Sequence, residues 1–310
     1  MDQKTWLRRN TRSLAGKTVV LTGATGGLGR EISRAVLFCH GSLVLVTRDR
    51  AKAQAMTASL LREFPEGSIV NVDADLSDLR SVDRAAEILC TLPVDILIHN
   101  AGAYSIPRCK CDPGYDNVFE INFVSPYYLT KRLLPLLRER HGKVIAVGSI
   151  AHTYSKTDPK DVDFSGRSAA SLVYGNSKRY LMFALSGLLR DSGVAFAIAH
   201  PGITFTNITA HYPPLIFAVI KEPMKVIFMK PAAAARSIIL AMFRPVPYLC
   251  WIGPAGADIW GNPAVKKLST CSQQERRRIF RTAEAIYSGL CRTPREKVQE
   301  MSSADPRSAV

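Results

Sequence analysis

Acidic residues are scarce: 26 Asp and Glu stand against 41 Lys and Arg, a formal charge of +15 over 310 residues. Long apolar runs are missing too. A membrane-crossing helix takes roughly 18 or more uninterrupted apolar residues, and the longest candidate, Leu215–Met229, is broken by Lys221, Glu222, Pro223 and Lys225. Met1–Lys17 is polar and basic, and Val19–Leu21 is too short for the apolar region of a secretory signal. The expectation is a cytoplasmic protein. The seven cysteines are odd in number and scattered, which suits reduced thiols rather than a disulfide framework. Cys109 and Cys111 are the one close pair and lack the second half of a zinc site, so no metal is expected. The basic clusters, Arg8, Arg9 and Arg12 at the front and Arg276, Arg277, Arg278 and Arg281 at the back, are not interleaved with stacking aromatics. No nucleic-acid partner is therefore expected. The excess charge fits a surface that meets anionic lipid or an acidic partner, and equally the solvated faces of helices.

No Pro/Ser/Gly-rich linker and no internal repeat divides the chain. One domain over about residues 14–290 is expected, between a basic segment, residues 1–13, and a polar tail, residues 291–310, expected to be disordered. Short apolar, β-rich runs recur at Thr18–Leu21, Leu43–Val46, Ser68–Val72, Asp95–Ile98, Lys143–Val147, Val194–Ala199 and Tyr248–Ile252. Helical periodicity fills most gaps, at Gly27–Cys39, Arg50–Phe64, Leu79–Leu89, Leu129–Arg140, Leu172–Arg190 and Ala232–Phe243. Alternating strands and helices predict an α/β fold: a single Rossmann-type, doubly wound domain whose seven-stranded, mostly parallel sheet carries helices on both faces.

Two signals point to chemistry. After the first β-rich run comes Thr22-Gly23-Ala24-Thr25-Gly26-Gly27-Leu28-Gly29, a glycine-rich strand-to-helix turn of the kind that lets a backbone approach a pyrophosphate at a helix N-terminus. Far downstream, Tyr174 and Lys178 stand four apart and share a helix face. There the ammonium is expected to lower the phenol's pKa. Around the turn, Thr47-Arg48 ends the second strand where a carboxylate would hold a ribose hydroxyl, and Arg30 follows the last glycine. Two arginines suit a 2′-phosphate, so NADP(H) is favoured over NAD(H). Asp49 is expected to cap the next helix instead. Asp75-Leu76 after the third strand, Asn100-Ala101-Gly102 after the fourth and Pro201-Gly202 after the sixth occupy strand C-termini, where such folds bind ligands.

These residues resemble the short-chain dehydrogenase/reductase superfamily over most of the chain. Its Thr-Gly-x-x-x-Gly-x-Gly is met by Thr22, Gly23, Gly27 and Gly29, its Asn-Ala-Gly by Asn100–Gly102, and its Tyr-x-x-x-Lys by Tyr174 and Lys178. Its helix asparagine corresponds to Asn122, its serine to Ser149, and its Pro-Gly-x-x-x-Thr to Pro201, Gly202 and Thr206. A finer likeness to the retinol-dehydrogenase-like branch rests on Val147–His152, the long step from Ser149 to Tyr174, His200-Pro201-Gly202 and the segment from His211 to Pro231. Departures are His99 before Asn100, Gly148 before Ser149, and Ser125 where a glycine often follows Asn122.

The resemblance implies an oxidoreductase acting between alcohol and carbonyl. Tyr174 is the acid or base, Lys178 supports the phenolate and the nicotinamide ribose, and Ser149 donates to the substrate oxygen. Asn122 holds a water linking Lys178 to solvent. His152 and His200 are expected to be structural. The segment Phe205–Lys230 carries many apolar side chains, which suits a lid over an apolar alcohol or carbonyl such as a retinoid, steroid or long aldehyde. A buried amphipathic helix would carry the same pattern. The segment also suits reversible contact with a membrane surface. A homo-oligomer is compatible with all of this. Two other readings stay open, a catalytically idle NADP-binding sensor and a membrane-surface scaffold of the same fold.

Overall fold

The computed structural model describes residues 2–203 and 229–291. Most of the expected lid, Thr206 and the tail beyond Cys291 lie outside the described residues. One sheet runs in the order β3-β2-β1-β4-β5-β6-β7-β8. Its strands are β1 (Thr18–Thr22), β2 (Ser42–Thr47), β3 (Ile69–Asp73), β4 (Val94–His99), β5 (Lys143–Val147), β6 (Ala195–Ala199), β7 (Cys250–Gly256) and β8 (Trp260–Lys267). All neighbours pair in parallel except β7 with β8, an antiparallel edge hairpin. The expected count of seven is thus one short. The missed strand holds Gly261, Asn262 and Pro263 and exposes Trp260 and Val265, which blurs the alternation a sequence pattern needs, and edge strands tolerate such residues.

The helices are α1 (Gln3–Asn10), α2 (Gly27–Phe38), α3 (Arg50–Glu63), α4 (Leu79–Cys90), the short α5 (Asn117–Phe119), α6 (Ser125–Glu139), α7 (Ala170–Leu189), α8 (Pro231–Phe243) and α9 (Gln273–Cys291). Every residue of β1 is buried because both sheet faces are covered. Val20, Val44, Val72 and Val144 turn toward α4, α6, α7 and α9, while Val19, Leu21, Leu43 and Ile145 turn toward α2 and α8. Besides the three-residue α5, two helices had no counterpart in the sequence pattern. In the expected basic segment, Asp2 caps α1 by accepting the Thr5 amide, and Trp6 and Leu7 enter the α2/α8 core. In α9, Ile279, Ala283 and Ile286 make a stripe facing α7 behind the run Arg276–Arg278. Among the described residues no helix is long and apolar enough to cross a membrane.

Strand order reverses between β1 and β4, so the connections at their C-terminal ends diverge and leave a crevice. Between α5 and α6, Glu120–Val124 form a π-helical turn. Pro126 has no N–H to offer the Asn122 carbonyl four residues back, which loosens the ladder at that point.

Candidate active site

A cleft of about 520 Å³ opens at the crevice, lined by Gly23, Thr25–Gly29, Val46–Asp49, Ala74–Leu76 and Asn100–Tyr104, among others. Its floor is fastened by Thr22, whose Oγ1 accepts from the Asn100 and Ala101 amides at 3.1 Å each. The Asn100 side-chain amide donates to the carbonyls of Thr22 and Gly23, both at 3.0 Å. Thr22 and Asn100 thereby hold the ends of β1 and β4 in register, and Thr22 itself does not line the cleft.

The glycines divide into two kinds. Gly23 has φ +65°, and a Cβ there would stand 2.7 Å from the Ala101 Cα; one on Gly29 would stand 2.6 Å from the Ala24 Cα. Both positions need glycine for the turn to close. A Cβ on Gly26 would meet nothing nearer than 3.5 Å. Gly26 and Gly27 instead leave the mouth of α2 bare, and α2 has no side-chain cap. A cradle of backbone with N–H groups at a helix start fits a pyrophosphate.

Arg48 lines the cleft, and so does Lys52, which the sequence pattern did not single out. Asp49 is engaged as expected. It caps α3 by accepting the Lys52 amide at 3.0 Å and pairs with the Lys52 Nζ at 2.9 Å. These contacts hold its carboxyl below the usual range. Arg30 differs from expectation. It lies outside the cleft lining, and its guanidinium donates to Ser59 Oγ on α3 at 2.9 Å. One turn into α2, it reaches across to α3 instead of lining the cleft at the strand ends. Asp75 lines the cleft and accepts from the Ser77 amide at 2.9 Å and the Ser77 hydroxyl at 2.7 Å.

The cleft's inner wall leads to the catalytic candidates. Gly102 lines it, and a Cβ there would be 3.4 Å from both Asn122 Oδ1 and Lys178 Nζ, so these groups meet behind a residue without a side chain. Asn122, on the π-helical turn, accepts the Ala103 amide at 2.7 Å and donates to the Ala103 carbonyl and to Ser177 Oγ, both at 2.9 Å. Lys178 donates to the Val147 carbonyl at 3.0 Å, and burial pulls its pKa down to about 8. Ser149 lies two residues past β5 and caps the 3₁₀ turn Ile150–Thr153, accepting the Ala151 amide at 3.2 Å. A Cβ on Gly175 would collide with the Ala151 carbonyl oxygen, so this turn rests on α7 directly beside Tyr174.

The phenol behaves otherwise than the helix spacing suggests. Burial pushes the Tyr174 pKa up to about 12, opposed by a hydrogen bond with Ser149. The Lys178 ammonium lies 5.8 Å from the Tyr174 ring centroid and does not offset that rise. Tyr104, a cleft residue absent from the motifs, stacks edge-on against Tyr174 with centroids 5.2 Å apart.

Pro201 and Gly202 lie at the end of β6 outside the cleft lining. Gly202 has φ +81°, and a Cβ would stand 2.6 Å from the Ile259 carbonyl oxygen. His152 bridges the Ser149 carbonyl at 2.6 Å and Thr270 Oγ1 at 2.7 Å. His200 contacts the Asp258 carbonyl at 2.9 Å and stacks on Trp251 at 4.8 Å. Both are tied into the fold.

The model of the short chain dehydrogenase family matches residues 17–214. Retinol dehydrogenase 14 of Homo sapiens is 30% identical over 251 residues, spanning 74% of this chain and 75% of that protein. Retinol dehydrogenase 14 of Mus musculus is 31% identical over 212 residues, spanning 63% of this chain and 64% of that one. The likeness thus covers less than two thirds of the mouse protein. Among solved structures, an uncharacterized protein from Mycobacterium Paratuberculosis superposes with a TM-score of 0.71 at 24% identity, covering 89% of this chain and 95% of the other. An alcohol dehydrogenase from Thermococcus sibiricus, complexed with 5-hydroxy-NADP, gives 0.57 at 20% identity over 74% of this chain and 91% of the other. These two share the fold.

Proposed function

The chain belongs to the short-chain dehydrogenase family, and on that premise we propose that it interconverts an apolar alcohol and its carbonyl compound with NADP(H). The observation that carries this reading is the path from cleft to candidate acid. Gly102 closes the cleft against Asn122 and Lys178, and Tyr174 lies one helical turn before Lys178 with Ser149 near enough to its hydroxyl to oppose the rise in its pKa.

The dinucleotide, when bound, supplies the hydride chemistry. Gly26, Gly27 and Leu28 would hold its pyrophosphate at the start of α2, Asp75 and Leu76 its adenine end, and Asn100–Gly102 the stretch leading inward. Arg48 and Lys52 favour a 2′-phosphate. Tyr174 passes the proton to or from the substrate oxygen, and Ser149 donates a hydrogen bond to the same oxygen. Lys178 supplies positive charge near the phenol once it forms phenolate, and Asn122 keeps the π-helical turn and the Ala103 backbone in place beside it. The apolar sequence of Phe205–Met229 and the names of the retinol dehydrogenase relatives support an apolar substrate.

The test is NADPH oxidation by the purified chain against a panel of apolar aldehydes, retinoids and ketosteroids. Turnover with at least one member that disappears in Tyr174→Phe is expected. A protein that binds NADPH yet turns over none of the panel in either direction would overturn the reading.

A further inference from the structure

We propose that the buried Arg179–Glu275 pair is a positioning device that fixes the Ser149 turn against the helix carrying Tyr174 and Lys178. This inference rests on the reaction proposed above. Arg179 follows Lys178 directly and is 2% exposed; Glu275, in the first turn of α9, is 7% exposed. The pair is bidentate, with Nε 2.9 Å from Glu275 Oε1 and an Nη 2.7 Å from Oε2. The rest of the guanidinium points at the active-site wall. It donates to the His152 carbonyl at 2.9 Å and to the Thr270 carbonyl at 2.7 Å.

These contacts close a ring around Ser149. The His152 carbonyl belongs to the 3₁₀ turn that Ser149 caps. The Ser149 carbonyl can only accept, so His152 Nδ1 carries the proton there, at 2.6 Å. His152 Nε2 then accepts from Thr270 Oγ1 at 2.7 Å, and the Thr270 carbonyl is held in turn by Arg179. Glu275 extends the fixation by accepting from the Thr157 amide at 3.2 Å. Four of the arginine's five donors are thus spent either on its counter-charge or on the segments that bracket Ser149.

A fully desolvated ion pair is a weak source of net stability against an apolar replacement, whereas a planar, five-donor fork that holds a carboxylate and two carbonyls at once gives orientation. What it orients is the gap between Ser149 Oγ and the Tyr174 hydroxyl, where the substrate oxygen would sit. None of the cleft-lining residues named for the cofactor belongs to the ring, so cofactor binding and the position of Ser149 are separable.

The test is a double-mutant cycle. Glu275→Gln should lower kcat by about ten- to a hundredfold, the penalty typical of a small misplacement of reacting groups, with the NADPH dissociation constant within about twofold of wild type. In a Ser149→Ala background the same substitution should cost less than about threefold, because the group it positions is gone. Thr270→Val, which removes only the hydroxyl on His152, should show the same pattern more weakly and decides the matter if Glu275→Gln fails to fold. Equal losses in both backgrounds, or a parallel loss of NADPH affinity, would overturn the proposal. If wild type shows no turnover at all, the functional reading has failed instead. Crystal structures of wild type and Thr270→Val then decide this one: a displaced Ile150–Thr153 turn upholds it and an unmoved turn refutes it.

Discussion

Lys178 Nζ donates to the Val147 carbonyl at 3.0 Å, which moors the amine to the end of β5 as well as to its own helix. Burial draws its pKa down to about 8, so in the cofactor-free protein the ammonium is lost as pH rises through that value. The neutral amine still donates to Val147, so the mooring survives while the charge does not. Affinity for NADPH, measured by fluorescence titration, should weaken above about pH 8 in wild type. Lys178→Met should bind more weakly throughout and show no such inflection. An inflection retained in that variant would remove Lys178 from the account.

Tyr174→Phe tests the acid alone. Phenylalanine keeps the ring that packs against Tyr104 and removes only the hydroxyl that Ser149 meets. Turnover should fall at least a hundredfold, the contribution general acid–base catalysis commonly makes, with NADPH affinity within a few fold. Near-wild-type turnover would exclude the phenol.

Cofactor choice should follow Arg48 rather than Arg30. Arg48 lines the cleft, whereas Arg30 is occupied by Ser59. A lost charge-assisted phosphate contact costs roughly 1.5–3 kcal/mol, about ten- to a hundredfold in affinity. Parallel titrations with NADPH and NADH should show that preference for NADPH in wild type and its reversal in Arg48→Asp. Arg30→Ala should leave the ratio within about twofold. Equal affinities in wild type would refute the preference.

What the sequence disclosed depended on whether the deciding contacts were local. The Thr22–Gly29 turn and the Tyr174/Lys178 pair are each set within a few residues, so strand, helix start and helix face could be read directly. Asp49 as a helix cap is likewise a contact with Lys52, three residues on. The bond from Arg30 to Ser59 could not be read, because Ser59 lies on another helix, 29 residues on. Helix α9 was hidden because Arg276–Arg278 dominate its composition while Ile279, Ala283 and Ile286 do the packing. The Tyr174 pKa went the other way because burial, a property of the whole fold, outweighs a charge at 5.8 Å from the ring. The π-helical turn under Asn122 had no sequence signature beyond Pro126, and the Arg179–Glu275 pairing spans segments that nothing local connects.

A last prediction concerns Glu120, a carboxyl sealed completely in the interior of the π-helical turn two residues before Asn122. Ser125 Oγ lies 2.7 Å from the Leu76 carbonyl and 3.2 Å from Glu120 Oε1. A carbonyl only accepts, so the serine proton goes to Leu76, and the contact with Glu120 is a hydrogen bond only if the carboxyl donates. Burial accordingly raises its pKa to about 8 from the ordinary 4.5. A folded-state pKa above the unfolded one means that Glu120's contribution to stability is full below about pH 4.5 and is lost as pH rises through about 8. Across that window the loss runs at about 1.4 kcal/mol per pH unit, because the unfolded chain releases the proton and the folded one retains it. Glutamine donates to Ser125 at any pH and carries no charge. Glu120→Gln should therefore be more stable than wild type at pH 8.5 and close to it at pH 5, as read from urea unfolding at the two values. If both proteins lose stability in parallel between those pH values, Glu120 is ionised in the folded protein and the serine relay to Leu76 does not operate.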